Sequence, residues 1–362
     1  MDHASEVAGA VTLEEIIRQP ALWPTTIERI ARTNRSDLLD SRTGIVTGAG
    51  TSAYAAEAIA RAWPDAKAIP ATDLLVQSKD ELVNANPGFS DRGLLVSIAR
   101  SGDSPESVTV VEKIQRLFPA ARHLVITCNA NGGLARLDGV ETIVLDPRTN
   151  DRSLAMTSSF TNLVLAGLAI SHFDQLARVV KPTCVTAEEV LPKLHVAARS
   201  LAQSEVSRVV VLASADLRPL ATEVALKVLE MTAGAVVPMA ETFLGLRHGP
   251  MSFLRQDSLV LCWMSSSPAR RRYEADLIRE LQSKNLGRLV IVGNDGDANA
   301  TEGLRLPAIA PHLHDTLRVP FEIPFGQLLA YELSLRCGLD PDNPSPTGVI
   351  TRVVQGFRVH ED

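Results

Sequence analysis

The sequence has little of what a secreted, membrane-embedded or nucleic-acid-binding protein needs. Only four of its 362 residues are cysteine: Cys128, Cys184, Cys262 and Cys337. None stands in a CxxC pair, which argues against a disulfide framework or a zinc ribbon and for free thiols in a reducing cytoplasm. The longest apolar run, residues 163–170, is far shorter than the roughly 20 residues of a membrane-spanning helix. The opening MDHASEVAGA lacks Lys, Arg and an apolar core, so no secretory signal is expected. Neither charge sign dominates. Residues 1–181 carry 18 basic and 21 acidic side chains, and residues 182–362 carry the same numbers. With no basic tail or basic half, no nucleic-acid partner is expected. A small anionic ligand, which needs only a local site, is compatible with this balance. The eight histidines form no HExxH, and His312 and His314 read as a loop rather than a metal site.

What the chain does have is 45% hydrophobic residues and enough length for two packed cores. Strand-like runs alternate with helical periods, which predicts an α/β fold with parallel sheets. Residues 44–47, 93–98 and 123–127 read as strands, with helices over 54–63 and 105–118 between them. The pattern recurs. Residues 209–212, 259–264 and 289–292 read as strands, with helices ending near Met231 and spanning 273–283. The offsets between matching strands (45 to 209, 94 to 259, 124 to 289) are 164, 165 and 165, so the chain reads as two copies of one unit. The expected organisation is a helical arm over 1–40, a first domain over 41–182, a second over 193–337 and an extended tail over 338–362. The proline-marked stretch 181–192 reads as the linker.

Three segments suit an anion. The first is Gly48–Ala53, with Gly50, Thr51 and Ser52. The second is Ala99–Pro105, with Arg100, Ser101, Gly102 and Ser104. The third is Met156–Ser159, with Thr157 and Ser158. Ligands of open α/β sheets bind beyond the carboxyl ends of the strands. Glycine admits close backbone approach there, and the next helix and nearby hydroxyls supply donors. GAGTSA also fits the dinucleotide fingerprint GxGxxA, with Asp73 about 20 residues on. However, no clear strand ends in that acid.

The second copy holds the candidate acid/base groups. Glu223, Lys227 and Glu230, at i, i+4 and i+7, share one helix face. Eighteen positions after Glu230, His248 stands in Arg247-His248-Gly249-Pro250, where Pro250 is expected to start a helix.

Taken together, GAGTS, ARSGDSPES, DRSLAMTSSF, ALKVLEMTAG, GLRHGP and DNPSPTG…RVVQG resemble the double sugar-isomerase (SIS) domain proteins. The likeness is nearest to the galactosamine-6-phosphate deaminase/isomerase family, also named tagatose-6-phosphate ketose/aldose isomerase. It is more distant to the isomerase half of glucosamine-6-phosphate synthase. The resemblance implies two flavodoxin-like parallel sheets flanked by helices and a sugar-phosphate substrate. Glu230 would be the proton-transfer base and His248 the ring-opening acid/base, entering from the neighbouring subunit of a homodimer. It also implies a phosphate grip by Ser52, Ser101, Ser104, Thr157 and Ser158. No metal or redox cofactor is required. Lys227 is read as placing or charge-balancing Glu230, and Glu241 as orienting His248 or serving as a second carboxylate.

The chain departs from the synthase pattern at Ala99, where the synthase has serine, so Arg100 or a backbone N–H is expected to compensate. The synthase's C-terminal lysine has no clear match, and Arg352 lies in that region. Asp2 stands where a glutaminase would have its cysteine, which argues against amino-sugar synthesis and towards deamination or plain isomerisation. The expected reaction takes galactosamine 6-phosphate to tagatose 6-phosphate and ammonia in the cytoplasm. The alternatives are glucosamine 6-phosphate deamination, another phosphosugar isomerisation, or a non-catalytic sugar-phosphate sensor.

Overall fold

The computed structural model describes residues 8–39, 44–89, 92–293, 303–345, 347–354 and 356–360. The first sheet contains β1 (Gly44–Thr47), β2 (Ala66–Ala68), β3 (Leu94–Ala99), β4 (Arg122–Thr127) and β5 (Glu141–Val144), ordered β2-β1-β3-β4-β5. The second contains β6 (Arg208–Ala213), β7 (Val237–Glu241), β8 (Ser258–Trp263), β9 (Arg288–Val292) and β10 (Leu304–Leu306), ordered β10-β9-β8-β6-β7. Every pairing is parallel. Counted from its own first strand, each sheet runs 2-1-3-4-5, the flavodoxin-like order. The repeat inferred from three offsets therefore extends to all five strands.

Four strands escaped the sequence reading: β2, β5, β7 and β10. All are sheet edges and only partly buried, so they lack an apolar run. The central β1, β3 and β8 are buried at every position and read easily.

The chain divides into two compact units that do not follow the sequence order. The unit around the first sheet holds residues 18–151, 158–182 and 348–362. Ile45, Leu95 and Val125 pack there with Val110, Val111 and Ile114 of the helix Pro105–Leu117. Helix Ser158–Ser171 lies close to helix Thr51–Ala60, and a Cβ on Gly167 would sit 2.4 Å from Ile59 Cδ1. Helix Gln19–Ala31 joins it through Thr26 Oγ1, which donates to Asn162 Oδ1 at 2.6 Å.

The unit around the second sheet holds residues 1–17, 152–157 and 183–347. Its first described helix, Ala10–Ile17, is capped from the end of the chain. Asp342 accepts from the Val11 and Thr12 amides at 3.1 and 2.6 Å, and Asp340 accepts from the Gly9 amide at 2.8 Å. Such caps satisfy donors that a helix start leaves open. Glu15 of the same helix is fully buried and accepts from the Arg152 amide at 2.6 Å.

The stretch expected as the linker is helical, and the boundary between the two units, between Pro182 and Thr183, falls inside it. Residues 181–192 lie inside Phe173–Gln203, and neither Pro182 nor Pro192 ends it. Buried Leu176, Val180, Cys184, Ala187, Leu191, Leu194, Ala198 and Leu201 recur at three- and four-residue spacing. That continuous apolar stripe outweighs the cost of interior prolines. His314 of the HxH caps helix Asp315–Arg336, its Nδ1 accepting from the Thr316 amide at 3.3 Å. Among the described residues, no helix is long and apolar enough to cross a membrane.

Candidate active site

In the first unit, two of the three hydroxyl-rich segments are strand-to-helix turns. After β1, Gly50 takes φ +57° as N-cap of helix Thr51–Ala60. A Cβ on Gly48 would lie 2.6 Å from the Ser52 backbone, so the turn demands glycine there. Thr51 and Ser52 are buried on the first turn of the helix. After β3, Gly102 takes φ +75° and Ser104 is N-cap of the helix that starts at Pro105. This loop is tied down from the β4 side. Asp103 Oδ1 accepts from the Gly133 amide at 2.9 Å, and Asn129 Nδ2 donates to the Ser101 carbonyl at 2.9 Å. Ser101 Oγ accepts from the Asp103 amide at 3.3 Å, and Ser104 Oγ donates to Glu106 at 3.2 Å. Asp103 and Asn129 were not anticipated as loop supports. Their partners lie about 30 residues away, which no local pattern reveals.

The charges of Arg100 and Arg352 both act on Cys128, just past the end of β4. Cys128, the residue after that strand, is buried, and burial pushes its thiol up to about 12. The hydroxyl of Thr149 and the charges of Arg100 and Arg352 act in the opposite direction, while Asp151 adds to the rise. Arg352 Nη2 donates to Asn150 Oδ1 at 2.6 Å, which ties the tail to the first sheet's unit.

Ser158 has a different local role from the one expected. Asp151 takes both of its donors, the amide at 3.0 Å and Oγ at 2.5 Å, and both donors of Ser159 as well. Asp151 thereby caps helix Ser158–Ser171. All four residues, Asp151, Thr157, Ser158 and Ser159, are fully buried. An acid seven residues before a Ser-Ser helix start is the signal that was overlooked. In the other unit, the Thr157 carbonyl accepts from Gln327 Nε2 at 3.1 Å.

The acid/base groups of the second unit stand on helix Arg218–Met231, where they share a face. Lys227 is fully buried. Its Nζ pairs with Glu230 Oε2 and lies 3.4 Å from Glu223 Oε1. Glu223 is also fully buried, whereas the Glu230 side chain keeps 30% exposure. One carboxylate and the lysine are thus inside, and the other carboxylate looks out. The helix stops just after Glu230, where Thr232 Oγ1 donates to the Val228 carbonyl at 2.6 Å.

His248 lies in the segment between β7 and β8 and is exposed. Its amide donates to the Gly245 carbonyl at 2.9 Å, and Gly249 follows at φ +116°. Pro250 opens only a 3₁₀ turn, Pro250–Phe253, instead of the expected helix. Four residues give little aligned dipole, so the site cannot draw on a helix N-terminus. Glu241, at the end of β7, turns to its own loop. Its Oε1 accepts from the Thr242 amide at 2.7 Å, and a Cβ on Gly245 would lie 2.5 Å from that oxygen. The structure therefore gives Glu241 a loop-capping bond and shows no bond to His248.

The second sheet's counterpart of the Ser101–Ser104 loop is filled by the chain itself. After β8, the Ser265 amide donates to Glu274 Oε2 at 2.9 Å and the Ser266 amide to Asp315 Oδ1 at 2.7 Å. Arg318 and Arg270 lie 3.2 and 3.4 Å from Asp315. Burial raises the Glu274 carboxyl to about 7, with Asp315 adding to the rise and the Ser265 amide, the Ser214 hydroxyl and Arg270 opposing it. Folded protein therefore binds more protons than unfolded chain between pH 4.5 and about 7, and stability falls as pH rises through that window. The rise corresponds to about 3 kcal/mol, at 1.36 kcal/mol per pKa unit. Glu274→Gln is expected to remove this fall. Denaturant midpoints of wild type and variant should converge near pH 4.5 and separate by pH 8, with the variant the more stable. Parallel pH profiles would show that Glu274 does not titrate in this window.

No family model matches the chain. It is 36% identical over 372 residues to the D-galactosamine-6-phosphate deaminase AgaS of Shewanella sp. (strain ANA-3), covering 96% of this chain and 91% of that protein. The crystal structure of tagatose-6-phosphate ketose/aldose isomerase from Escherichia coli superposes with a TM-score of 0.83 at 31% identity, covering 99% of both chains. The C-terminal domain of glucosamine-fructose-6-phosphate aminotransferase from Francisella tularensis shares the fold, with a TM-score of 0.75 at 19% identity over 92% of this chain and 98% of that one.

Proposed function

This chain belongs to the D-galactosamine-6-phosphate deaminase AgaS family, and we propose that it converts galactosamine 6-phosphate and water into tagatose 6-phosphate and ammonia. The observation that carries the reading is the half-exposed Glu230 carboxylate held on the wholly buried Lys227. An aldose-to-ketose shift needs one carboxylate that takes a proton from C2 and returns it to C1. A fixed carboxylate open on one side suits that task.

The proton on the C1 hydroxyl is given up as His248 protonates the ring oxygen, the C1–O5 bond breaks, and the pyranose opens to the aldehyde. Glu230 removes the C2 proton as O1 gains one, giving a 1,2-enolamine, and returns the proton to C1 as the nitrogen gives one up. The product is a ketose imine at C2 with a hydroxymethyl C1. Water adds to the imine carbon and ammonia leaves, which makes the overall reaction a hydrolysis. The phosphate is held far from these carbons, which positions the chain for proton transfer. We assign that grip to the backbone at Gly50, Thr51 and Gly102, the hydroxyls of Ser52, Ser101 and Ser104, and the guanidinium groups of Arg100 and Arg352. Ser158 supports the grip through the Asp151 cap. The exposed His248 acts in the pocket of a second copy, so the working form is a homodimer, and the compartment is the cytoplasm.

The test is ammonia release from galactosamine 6-phosphate and from glucosamine 6-phosphate, with ketose phosphate measured in parallel. Stoichiometric ammonia and ketose phosphate from the galacto epimer is the expected result. Ammonia from the gluco epimer alone would reassign the substrate, and none from either would overturn deamination.

A further inference from the structure

Beside His248, Arg247 and Gly249 are exposed, and the loop's core contacts lie further off, where Met251 and Phe253 pack against the second unit's core. From Arg247 to Phe253 every side chain is exposed or half-buried, and the flanking buried residues are Leu246 and Leu254. Short turn bonds set the local shape, such as the Ser252 amide to the Gly249 carbonyl at 3.0 Å. They do not orient the loop against the second sheet's unit, and Gly249 at φ +116° adds a freely turning residue beside His248. Side-chain tethers add to the packing of Met251 and Phe253 and reach the exposed residue next to His248. Arg247 Nε donates to Glu280 Oε2 at 2.7 Å. Lys284 Nζ donates to Glu280 Oε1 at 2.6 Å and reaches Met251 Sδ at 3.6 Å. From another element, Arg208 donates to the Phe253 carbonyl and stacks 4.6 Å from its ring centroid.

Two tethers, one on each side of His248, converge on Glu280. It stands on helix Pro268–Ser283, whose Leu277, Ile278 and Leu281 are built into the core of the second unit. We propose that Glu280 is a positioning residue for His248, fixing the loop through Arg247 and through Lys284 and Met251. The proposal rests on the acid/base role of His248 given above. Lys284 and Arg247 hold the Glu280 carboxyl below its ordinary range, so the clamp persists into mildly acidic solution.

Partly exposed ion pairs contribute little to stability, while a misplacement of about 1 Å can cost about a hundredfold in rate. The clamp should therefore show in turnover rather than in the fold. Glu280→Ala is expected to lower kcat on cyclic galactosamine 6-phosphate about tenfold, with KM within about twofold. The melting temperature should stay within about 2 °C. Glu280→Gln, which keeps an acceptor for Arg247, should recover part of the rate. Salt near 1 M should slow wild type and leave Glu280→Ala unaffected, because it screens the clamp. An open-chain analogue should be turned over by wild type and Glu280→Ala alike, since no ring is opened.

His248→Ala is measured beside them. If it is impaired while Glu280→Ala keeps the wild-type rate, the clamp is overturned and the His248 assignment stands. If His248→Ala turns over normally, that assignment fails and the clamp loses its object. Equal loss on cyclic and open-chain substrates, with a lowered melting temperature, would make Glu280 a general structural residue and overturn the proposal.

Discussion

Glu230→Gln should bind sugar phosphate nearly as wild type does and release ammonia about a thousandfold more slowly, or less. The substitution keeps size and hydrogen-bonding capacity but removes the group that takes a proton. Loss of one positioned acid/base typically costs about 10²–10⁴ in rate. The carboxylate is the one partly open member of the Glu223, Lys227, Glu230 set, so the change falls on the group that can meet substrate. Two readouts separate chemistry from binding. Deuterium uptake at C2 in heavy water should vanish in the variant. Thermal stabilisation by galactosamine 6-phosphate should remain. Retained C2 exchange would remove Glu230 from the role of base whatever the ammonia yield. Loss of both exchange and binding would point to a positioning contact with the sugar instead.

The central strands were legible in the sequence because burial on both faces leaves uninterrupted apolar runs such as Leu259–Trp263. Edge strands such as Ala66–Ala68 were not, because one side meets water and the run is short. The repeat was legible because a duplicated fold keeps its spacing even after its residues diverge. Helix periodicity placed Glu223, Lys227 and Glu230 on one face correctly, since i, i+4 and i+7 need only local geometry. Burial was not legible. Nothing local distinguishes a solvated Glu–Lys face from one in which Lys227 and Glu223 are wholly inside. Long-range partners were hidden for the same reason. Asp342 caps a helix some 330 residues earlier, and Asn129 supports Ser101 from the turn after the next strand. The interior prolines misled because a continuous buried stripe overrides a local helix-breaking preference. At Ser158, a hydroxyl that suits phosphate suits a carboxylate equally well, and the nearer acid took it.

The buried lysine supports the second large effect. Lys227→Met should lose both activity and stability, for separate reasons that a double variant can pull apart. With Lys227 gone, Glu223 is left as a fully buried carboxylate without the cation 3.4 Å away. Breaking a buried pair from one side costs about 3–5 kcal/mol, and the melting temperature should fall by about 10 °C. Removing the partner charge as well, in Lys227→Met/Glu223→Leu, replaces the pair with apolar volume and should restore most of that loss. Activity should not follow. Glu230 would still lack the ammonium that pairs with its Oε2. Its carboxylate would be free to rotate away from C1 and C2, and turnover should remain about a hundredfold low, the scale of a misplaced catalytic group. The comparison is a thermal melt beside an ammonia assay on the single and double variants. Recovery of stability without activity would assign Lys227 to the placement of Glu230. Recovery of both would reduce the lysine to a counter-charge for Glu223 and leave Glu230 positioned by its helix alone.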